Sequence, residues 1–134
     1  MKPILVDSNV LLDVATSDPK WFSWSSKSLF KAAQDSVLVI NPLIYAEVSI
    51  GFERIEDLED AMPADVFRRD ALPYEAAFLA GKCFRKYRRR GGRKTSPMPD
   101  FYIGAHAAVA DYRLLTRDAA RYRTYFPDVE LIAP

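Results

Sequence analysis

Four acidic side chains occupy places in the sequence where carboxylates could work together. Three follow an apolar run of strand type, and one opens a helical segment after a proline. In a parallel α/β sheet, the carboxyl ends of the strands and the amino ends of the next helices meet at one edge. Carboxylates gathered there would repel one another unless a cation joined them. The pattern therefore indicates a cation site built from Asp7, Glu47, Asp100 and Asp118.

The donor atoms of such a site favour a hard metal ion. All four groups offer oxygen, and the sequence holds only one cysteine, Cys83, and one histidine, His106, which we interpret as structural. Oxygen ligands without a cysteine set or a histidine pair select Mg²⁺ or Mn²⁺ over zinc. One or two such ions suit the hydrolysis of a phosphodiester, because they activate water and stabilise the leaving oxygen.

Each of these polar residues also has a purely structural interpretation. Three of the acids could cap helices, which contributes about 1 kcal/mol each, and the fourth could be an exposed helical residue. Ser8, Asn9 and Thr116 lie close enough in sequence to hydrogen-bond the carboxylates or water. Capping and strand-end packing would explain these three equally well.

The elements that must position these residues alternate between strands and helices. Apolar runs predict strands over 4–6, 37–40, 114–116 and 129–132, with a weak candidate at 66–67. Helical spacing predicts helices over 10–15, 21–35, 42 to about 51, 55–61, 74–87 and 118–125, and one that begins within 97–100. We therefore predict an α/β fold, a single domain over residues 1–134 with a mostly parallel twisted sheet of four or five strands flanked by helices.

Charge is distributed unevenly along a chain whose formal net charge is only +1. Residues 76–99 carry eight cations and no acid, which leaves −7 on the remainder. A polyanion would be attracted to one face of such a molecule. Like charges in a loop punctuated by glycine repel unless a phosphate-bearing partner neutralises them, although a solvated helix face is the alternative. The residues predicted to bind RNA are Arg88, Arg89, Arg90, Arg93 and Lys94.

Length and composition narrow the class of protein further. With 134 residues and 49% hydrophobic side chains, the chain is expected to form one folded domain with a substantial core. No apolar run reaches the roughly 18 residues needed to cross a bilayer, so we expect a cytoplasmic protein without a membrane partner. The single cysteine excludes an internal disulfide framework.

Four segments of the chain together resemble one family of nucleases. The segments are 6–10, 45–47, 99–107 and 114–118, and each contains one of the four acids. In this order, and in a chain of this length, they resemble the PIN-domain ribonucleases, specifically the VapC-type toxins of toxin-antitoxin pairs. The resemblance spans essentially the whole sequence.

The resemblance implies an endoribonuclease that depends on Mg²⁺ or Mn²⁺. It also implies that Asp7, Glu47, Asp100 and Asp118 hold the metal and activate water. Proteins of this type are usually homodimers, and a VapB-like antitoxin silences them by covering the acidic cleft with its C-terminal segment.

A dimer surface has some support from the residues themselves. Trp21, Phe22 and Trp24 cluster after a turn, and the segment 44–52 is richly apolar, so together they offer more hydrophobic surface than a small core requires. Plain core packing is the alternative interpretation.

Two other classes of function fit parts of the pattern. A phosphoacceptor signalling domain also combines an acidic pocket, Mg²⁺ and a parallel sheet, but it would place an acceptor Asp after a middle strand, where this chain has Asn41. A module that binds RNA or a protein without reaction is the second class. Cleavage of DNA also stays open, since no residue visibly recognises a 2′-hydroxyl.

Overall fold

Five short strands form one parallel sheet at the centre of the molecule. The computed structural model of the chain describes residues 1–95 and 98–134. The strands are β1 (Ile4–Val6), β2 (Leu38–Ile40), β3 (Phe67–Arg69), β4 (Arg113–Leu115) and β5 (Leu131–Ile132). They lie in the order β3-β2-β1-β4-β5, and every neighbouring pair is parallel. The predicted α/β class and parallel sheet are confirmed.

Seven helices flank this sheet within the described ranges 1–95 and 98–134. They are α1 (Ser8–Ala15), α2 (Phe22–Asp35), α3 (Pro42–Ser49), α4 (Ile55–Ala61), α5 (Tyr74–Arg89), α6 (Pro99–Ala110) and α7 (Ala120–Tyr125). Because the strands all run in one direction, their carboxyl ends share one edge, and α1, α3 and α7 start near that edge. None of the described helices is long and apolar enough to cross a membrane.

The central strands and α6 form the driest part of the core. β1, β2 and the two leucines of β4 are almost completely buried, as are Phe101, Ile103 and Ala107 of α6. Gly104 permits the close packing of α6, because a Cβ at this position would overlap the ring of Phe126. The start of α6 is thereby held firmly above the sheet edge.

Some predicted boundaries were wrong by one to two residues. For the start of α7, the structure shows the physical reason. The helix expected to begin at Asp118 begins at Ala120, and its cap residue, Ala119, makes no side-chain capping bond. The backbone N–H of Asp118 instead donates to Thr116 Oγ1 at 3.1 Å, in a turn that precedes the helix. Asp118 therefore does not cap α7, which removes the structural interpretation of this acid as a cap.

The apolar segment 44–52 contributes less surface than its composition suggested. Ile44 and Val48 lie in the core, whereas Ile50 is 84% exposed. In the aromatic group after the turn, Phe22 is 41% exposed, and Trp21 packs edge-on against Trp24. Core packing thus accounts for part of the surface that was considered for a dimer.

Candidate active site

Asp7 lies at the centre of a polar cluster at the carboxyl edge of the sheet. It directly follows β1 and caps α1, where its Oδ1 accepts the Ser8 N–H at 2.8 Å. Its Oδ2 accepts hydrogen bonds from the hydroxyls of Thr116 and Tyr122, both at 2.9 Å. Only 3% of Asp7 is exposed. The residue therefore caps a helix and also presents a fixed, buried carboxylate.

The ionised form of Asp7 is poorly stabilised despite these hydrogen bonds. Burial raises the pKa of Asp7 to about 6, and the negative charges of Asp100 and Glu47 add to the rise. The hydrogen bonds from Thr116 and Tyr122 lower the pKa but do not offset burial. A carboxylate in this condition lacks a positive partner.

Glu47 reaches the same edge from α3. The Ser8 hydroxyl donates to Glu47 Oε1 at 2.9 Å and also lies 3.4 Å from Asp7 Oδ1, so it bridges the two acids. Burial raises the pKa of Glu47, the Ser8 hydrogen bond lowers it, and the charge of Asp100 raises it again. The structure thus brings together residues that are 40 positions apart in sequence.

Asp100 enters from the first turn of α6 and completes the contact with Asp7. The Tyr122 hydroxyl lies 3.4 Å from Asp100 Oδ1 and 2.9 Å from Asp7 Oδ2, so one hydroxyl spans both carboxylates. Burial raises the pKa of Asp100, Arg121 lowers it, and the charge of Asp118 raises it. Asp118 is more exposed and lies across a shared cleft from Asp100.

We call these four residues, Asp7, Glu47, Asp100 and Asp118, the acidic cluster. The hydrogen bonds and charge effects link them in a row from Glu47 through Asp7 and Asp100 to Asp118. Asn9 supports the row weakly, since its amide lies 3.5 Å from Asp7 Oδ2 and 3.3 Å from Thr116 Oγ1.

Sequence reasoning missed Tyr122 and Arg121, which both lie on α7. Tyr122 is buried, and its hydroxyl contacts the carboxylates of Asp7 and Asp100. The Nη1 atom of Arg121 lies 3.8 Å from Asp100 Oδ2. The only signal in the sequence was that α7 follows Asp118 directly, which places its first turn near the sheet edge. Spacing alone did not distinguish Tyr122 from an ordinary core tyrosine.

The donor set fits a hard divalent ion in its chemistry. Oxygen atoms of carboxylates and hydroxyls are the ligands that Mg²⁺ and Mn²⁺ prefer. Burial raises the pKa of Asp7 to about 6, and a bound cation would favour its ionised form. In the part of the chain that the structure describes, no group of three His, Cys, Asp or Glu side chains is arranged to hold a metal ion. Mg²⁺ does not require one, because it commonly binds through one or two carboxylates plus waters and substrate phosphates.

The basic residues lie at the end of α5 and in the loop that follows. Arg88, Arg89 and Arg90 are exposed, and the guanidinium of Arg90 lies 5.5 Å from the ring centre of Tyr125 on α7. Gly91 has a φ of +90°, and Gly92 lies so close to Tyr87 that a Cβ there would overlap the ring. The loop is therefore pressed against the side of the molecule that carries Asp100 and Asp118.

Cys83 and His106 lie outside the acidic cluster. Cys83 is buried on α5, where burial raises the pKa of its thiol. His106 Nδ1 lies 3.0 Å from Asn41 Nδ2, whose own Oδ1 accepts from Ile44 N–H. The Nε2 atom of His106 lies 4.0 Å from Asp70 Oδ2. These contacts support the structural interpretation of both residues.

His106 belongs to a second polar group, which we call the paired cluster. Its carboxylate, Asp70, accepts from Arg68 Nε at 3.0 Å and from the Tyr112 hydroxyl. Burial acts to raise the pKa of Asp70, but the hydrogen bonds of Tyr112 and Arg68 outweigh it and hold that pKa below its ordinary value. The paired cluster consists of Asn41, Arg68, Asp70, His106 and Tyr112.

Comparison with known proteins places this site in a recognisable fold. A family model described as "PIN domain" matches residues 4–127, whereas no curated protein matches the chain in sequence. Solved structures similar to the chain include VapBC2 from Rickettsia felis bound to a promoter DNA fragment (TM-score 0.74, 14% identity, 98% of each chain covered). VapBC-1 from nontypeable Haemophilus influenzae has a TM-score of 0.72 and 16% identity, with 98% of this chain and 97% of that chain covered. FitAcB from Neisseria gonorrhoeae has a TM-score of 0.69 and 19% identity, with 96% of each chain covered.

Proposed function

Because the chain belongs to the PIN domain family, we propose that it is a metal-dependent endoribonuclease and the toxin of a VapBC-like toxin-antitoxin pair. The observation that carries the proposal is the acidic cluster. Hydrogen bonds from Ser8 and Tyr122 join three of its carboxylates, one directly after β1 and the others on α3 and α6. Arg121 lies 3.8 Å from Asp100, but among the residues that the structure describes no cation acts on the pKa of Asp7 or Glu47. Gathered carboxylates that are compensated only at one end fit a site that works with a divalent ion.

In this proposal Asp7, Glu47, Asp100 and Asp118 hold Mg²⁺ or Mn²⁺. When bound, the ion would activate a water for attack on the phosphodiester and stabilise the leaving oxygen. Tyr122 and Thr116 fix the orientation of the Asp7 carboxylate, and Ser8 fixes that of Glu47. Such hydrogen bonds hold ligating oxygens in place before the substrate arrives.

The substrate in this proposal is single-stranded RNA, which the basic residues hold. What supports this is the position of Arg90, whose guanidinium lies 5.5 Å from the ring centre of Tyr125, a residue that lines the cleft between Asp100 and Asp118. Arg88, Arg89, Arg93 and Lys94 are its exposed neighbours in sequence. Contacts from arginine and lysine to phosphate oxygens fix the register of a strand without reading its sequence.

The partners in this proposal are an antitoxin and a second copy of the chain. The similar structures from Rickettsia felis and Haemophilus influenzae are named as VapBC complexes, which supports a VapB-like antitoxin as the partner. Exposed apolar side chains such as Phe22 and Ile50 leave surface available for a homodimer.

Incubation of the purified protein with total RNA tests the activity. We expect cleavage with Mg²⁺ or Mn²⁺, none with EDTA, and recovery when excess Mg²⁺ is restored. RNA that stays intact in all metals, together with protein that is labelled by a small phosphodonor, would instead indicate the phosphoacceptor class. Binding of RNA without any cleavage would indicate the non-catalytic module.

A further inference from the structure

A cleft of about 530 Å³ includes two residues of the acidic cluster, Asp100 and Asp118, and extends from them along α5 and α7. Its lining combines two acids with aromatic and basic side chains: Tyr87, Asp100, Asp118, Ala120, Arg121, Thr124 and Tyr125. Its volume falls in the range of sites for small ligands, which is roughly 300–1,000 Å³. The cleft is polar, open to solvent and continuous with the carboxylates proposed to cleave RNA.

The aromatic wall of the cleft is rigid. Phe101 is fully buried and packs edge-on against both Tyr87, at 5.7 Å between ring centres, and Tyr125, at 5.2 Å. Phe84 stacks on Tyr87, at 5.8 Å between ring centres, and also lies 6.2 Å from Phe101. Tyr87 and Tyr125 are each only partly buried. Both residues line the cleft, so the open part of each ring offers aromatic surface of the kind on which nucleobases stack.

Two arginines lie against these rings. The guanidinium of Arg121 lies 5.7 Å from the ring centre of Tyr87 and 5.6 Å from that of Phe101, and that of Arg90 lies 5.5 Å from Tyr125. Contact with an aromatic face holds a guanidinium in place and leaves its edge free for a phosphate.

Arg121 retains unused donors in this position. Its contact with Asp100 Oδ2, at 3.8 Å, is too long for a hydrogen bond, and its Nη1 otherwise lies 3.1 Å from the weak acceptor Met98 Sδ. Its side chain is 35% exposed. A phosphodiester that approaches Asp100 and Asp118 meets their negative charge, and Arg121 supplies the neighbouring positive charge that offsets it.

We propose that this cleft is a nucleotide-binding subsite for single-stranded RNA. Arg121 binds a phosphate next to the one that is cleaved, and the adjoining base stacks on Tyr87 or Tyr125. This inference rests on the proposed ribonuclease function and adds to it a named subsite on α5 and α7. It makes Arg121 a binding residue, and Arg90 joins the subsite to the other basic residues.

Steady-state kinetics on a 12-nucleotide RNA of mixed sequence test the role of Arg121. The matched control is Arg123→Ala, which removes the same charge from an exposed position of the same helix. We expect Arg121→Ala to raise KM about ten-fold, with kcat within about three-fold of wild type, because a phosphate contact outside the reacting bond stabilises ground and transition states alike. Arg121→Lys should recover part of the loss. Equal KM values for Arg121→Ala and Arg123→Ala, or a loss confined to kcat, would overturn the assignment.

Photocrosslinking in EDTA tests the subsite without requiring cleavage. The probe is the same RNA with 5-iodouridine in place of uridine, and the products are mapped by mass spectrometry. We expect crosslinks at Tyr87 or Tyr125 and few at Tyr74, which lies on the same helix α5 as Tyr87 but is 91% exposed. Crosslinks at Tyr74 as frequent as at Tyr87 and Tyr125 would overturn the subsite, and stronger crosslinking of the matching DNA would overturn RNA as its occupant.

The two experiments separate the subsite from the proposed activity. Crosslinks at Tyr87 or Tyr125 in a protein that never cleaves RNA would retain the subsite and refute the ribonuclease. Cleavage that is insensitive to Arg121→Ala, with crosslinks spread over the surface, would retain the ribonuclease and refute the subsite.

Discussion

The acidic cluster and the paired cluster are built from similar side chains and behave in opposite ways. In the paired cluster, Arg68 and Tyr112 compensate Asp70 so well that its pKa falls below the ordinary value. In the acidic cluster, burial raises the pKa of Asp7 to about 6, and the nearby cation, Arg121, lies at the rim against Asp100. The fold therefore compensates the partly buried carboxylate of Asp70 internally and leaves the buried carboxylate of Asp7 without a cationic partner in the described part of the chain, which supports the proposal that the acidic cluster takes an external cation.

The largest expected effect is on activity. We expect Asp7→Asn and Asp100→Asn each to lower RNA cleavage by about a thousand-fold or more, because loss of a metal ligand removes several kcal/mol of transition-state stabilisation. The control is Asp111→Asn at the other end of α6, where Asp111 is exposed and asparagine tolerates its left-handed backbone (φ 59°). Initial rates in Mg²⁺ measure the effect, and near-normal cleavage by purified Asp7→Asn would contradict the proposed function.

The same substitution should change stability in opposite directions in the two clusters. Without metal at pH 7.5, ionised Asp7 costs up to about 3 kcal/mol, from its pKa of about 6 against an ordinary 3.8. Asp7→Asn should therefore raise the free energy of unfolding by up to that amount. Asp70→Asn should lower it by about 2 kcal/mol, since Arg68 and Tyr112 lose a charged acceptor. Urea denaturation compares the two, and shifts of the same sign would refute the contrast.

The pH dependence of stability should differ between the clusters in the same way. Asp7 has a raised pKa, so its contribution to the free energy of unfolding is present below about pH 4 and is lost as the pH rises through about 6. Asp70 has a lowered pKa, so its contribution is present above its ordinary pKa of 3.8 and is lost as the pH falls through its folded value. Subtracting the profile of each Asn variant from that of the wild type isolates the contribution of each carboxylate.

Added Mg²⁺ should act on one cluster only. An ion that binds the folded protein stabilises it by mass action, so millimolar Mg²⁺ at pH 7.5 should raise the melting temperature of the wild type and of Asp70→Asn. The Asp7→Asn variant should respond less, because it lacks the central ligand. Equal responses in all three proteins would place the ion elsewhere.

The smallest expected effect concerns the basic segment. Replacing Arg88, Arg89 and Arg90 by glutamine should weaken RNA binding and reduce its salt dependence by a slope of roughly 0.7 for each phosphate that the protein no longer neutralises. Fluorescence anisotropy at several salt concentrations gives the slope. An unchanged slope would indicate instead that these arginines form a solvated helix face that does not bind RNA.

The sequence was sufficient for the elements and for the edge on which the acids meet. Apolar runs such as 4–6 encode buried parallel strands directly, and the order of elements then fixes which ends converge. The helix boundary at Asp118 was not predictable, because the Asp118 N–H donates to the Thr116 hydroxyl in a turn before the helix, a local contact that residue types alone do not reveal.

The residues that the sequence did not reveal are those whose role depends on tertiary distance. Tyr122 resembles an ordinary core aromatic until its hydroxyl is seen between Asp7 and Asp100. Arg121 contributes one more charge to the composition, and only the fold places it against Tyr87. Side-chain contacts between distant segments leave no periodic signal in the chain.

The two glycines after α5 set the path of the loop that follows Arg90. Gly91 adopts a backbone conformation that L side chains avoid, and the N–H of Gly92 donates to the Tyr87 carbonyl at 3.0 Å beneath the tyrosine ring. A side chain at position 92 would push this ring aside and swing the cationic loop outward, with every carboxylate untouched. In the proposed function, a variant at position 92 would therefore change how the basic residues meet RNA while leaving the four acids in place.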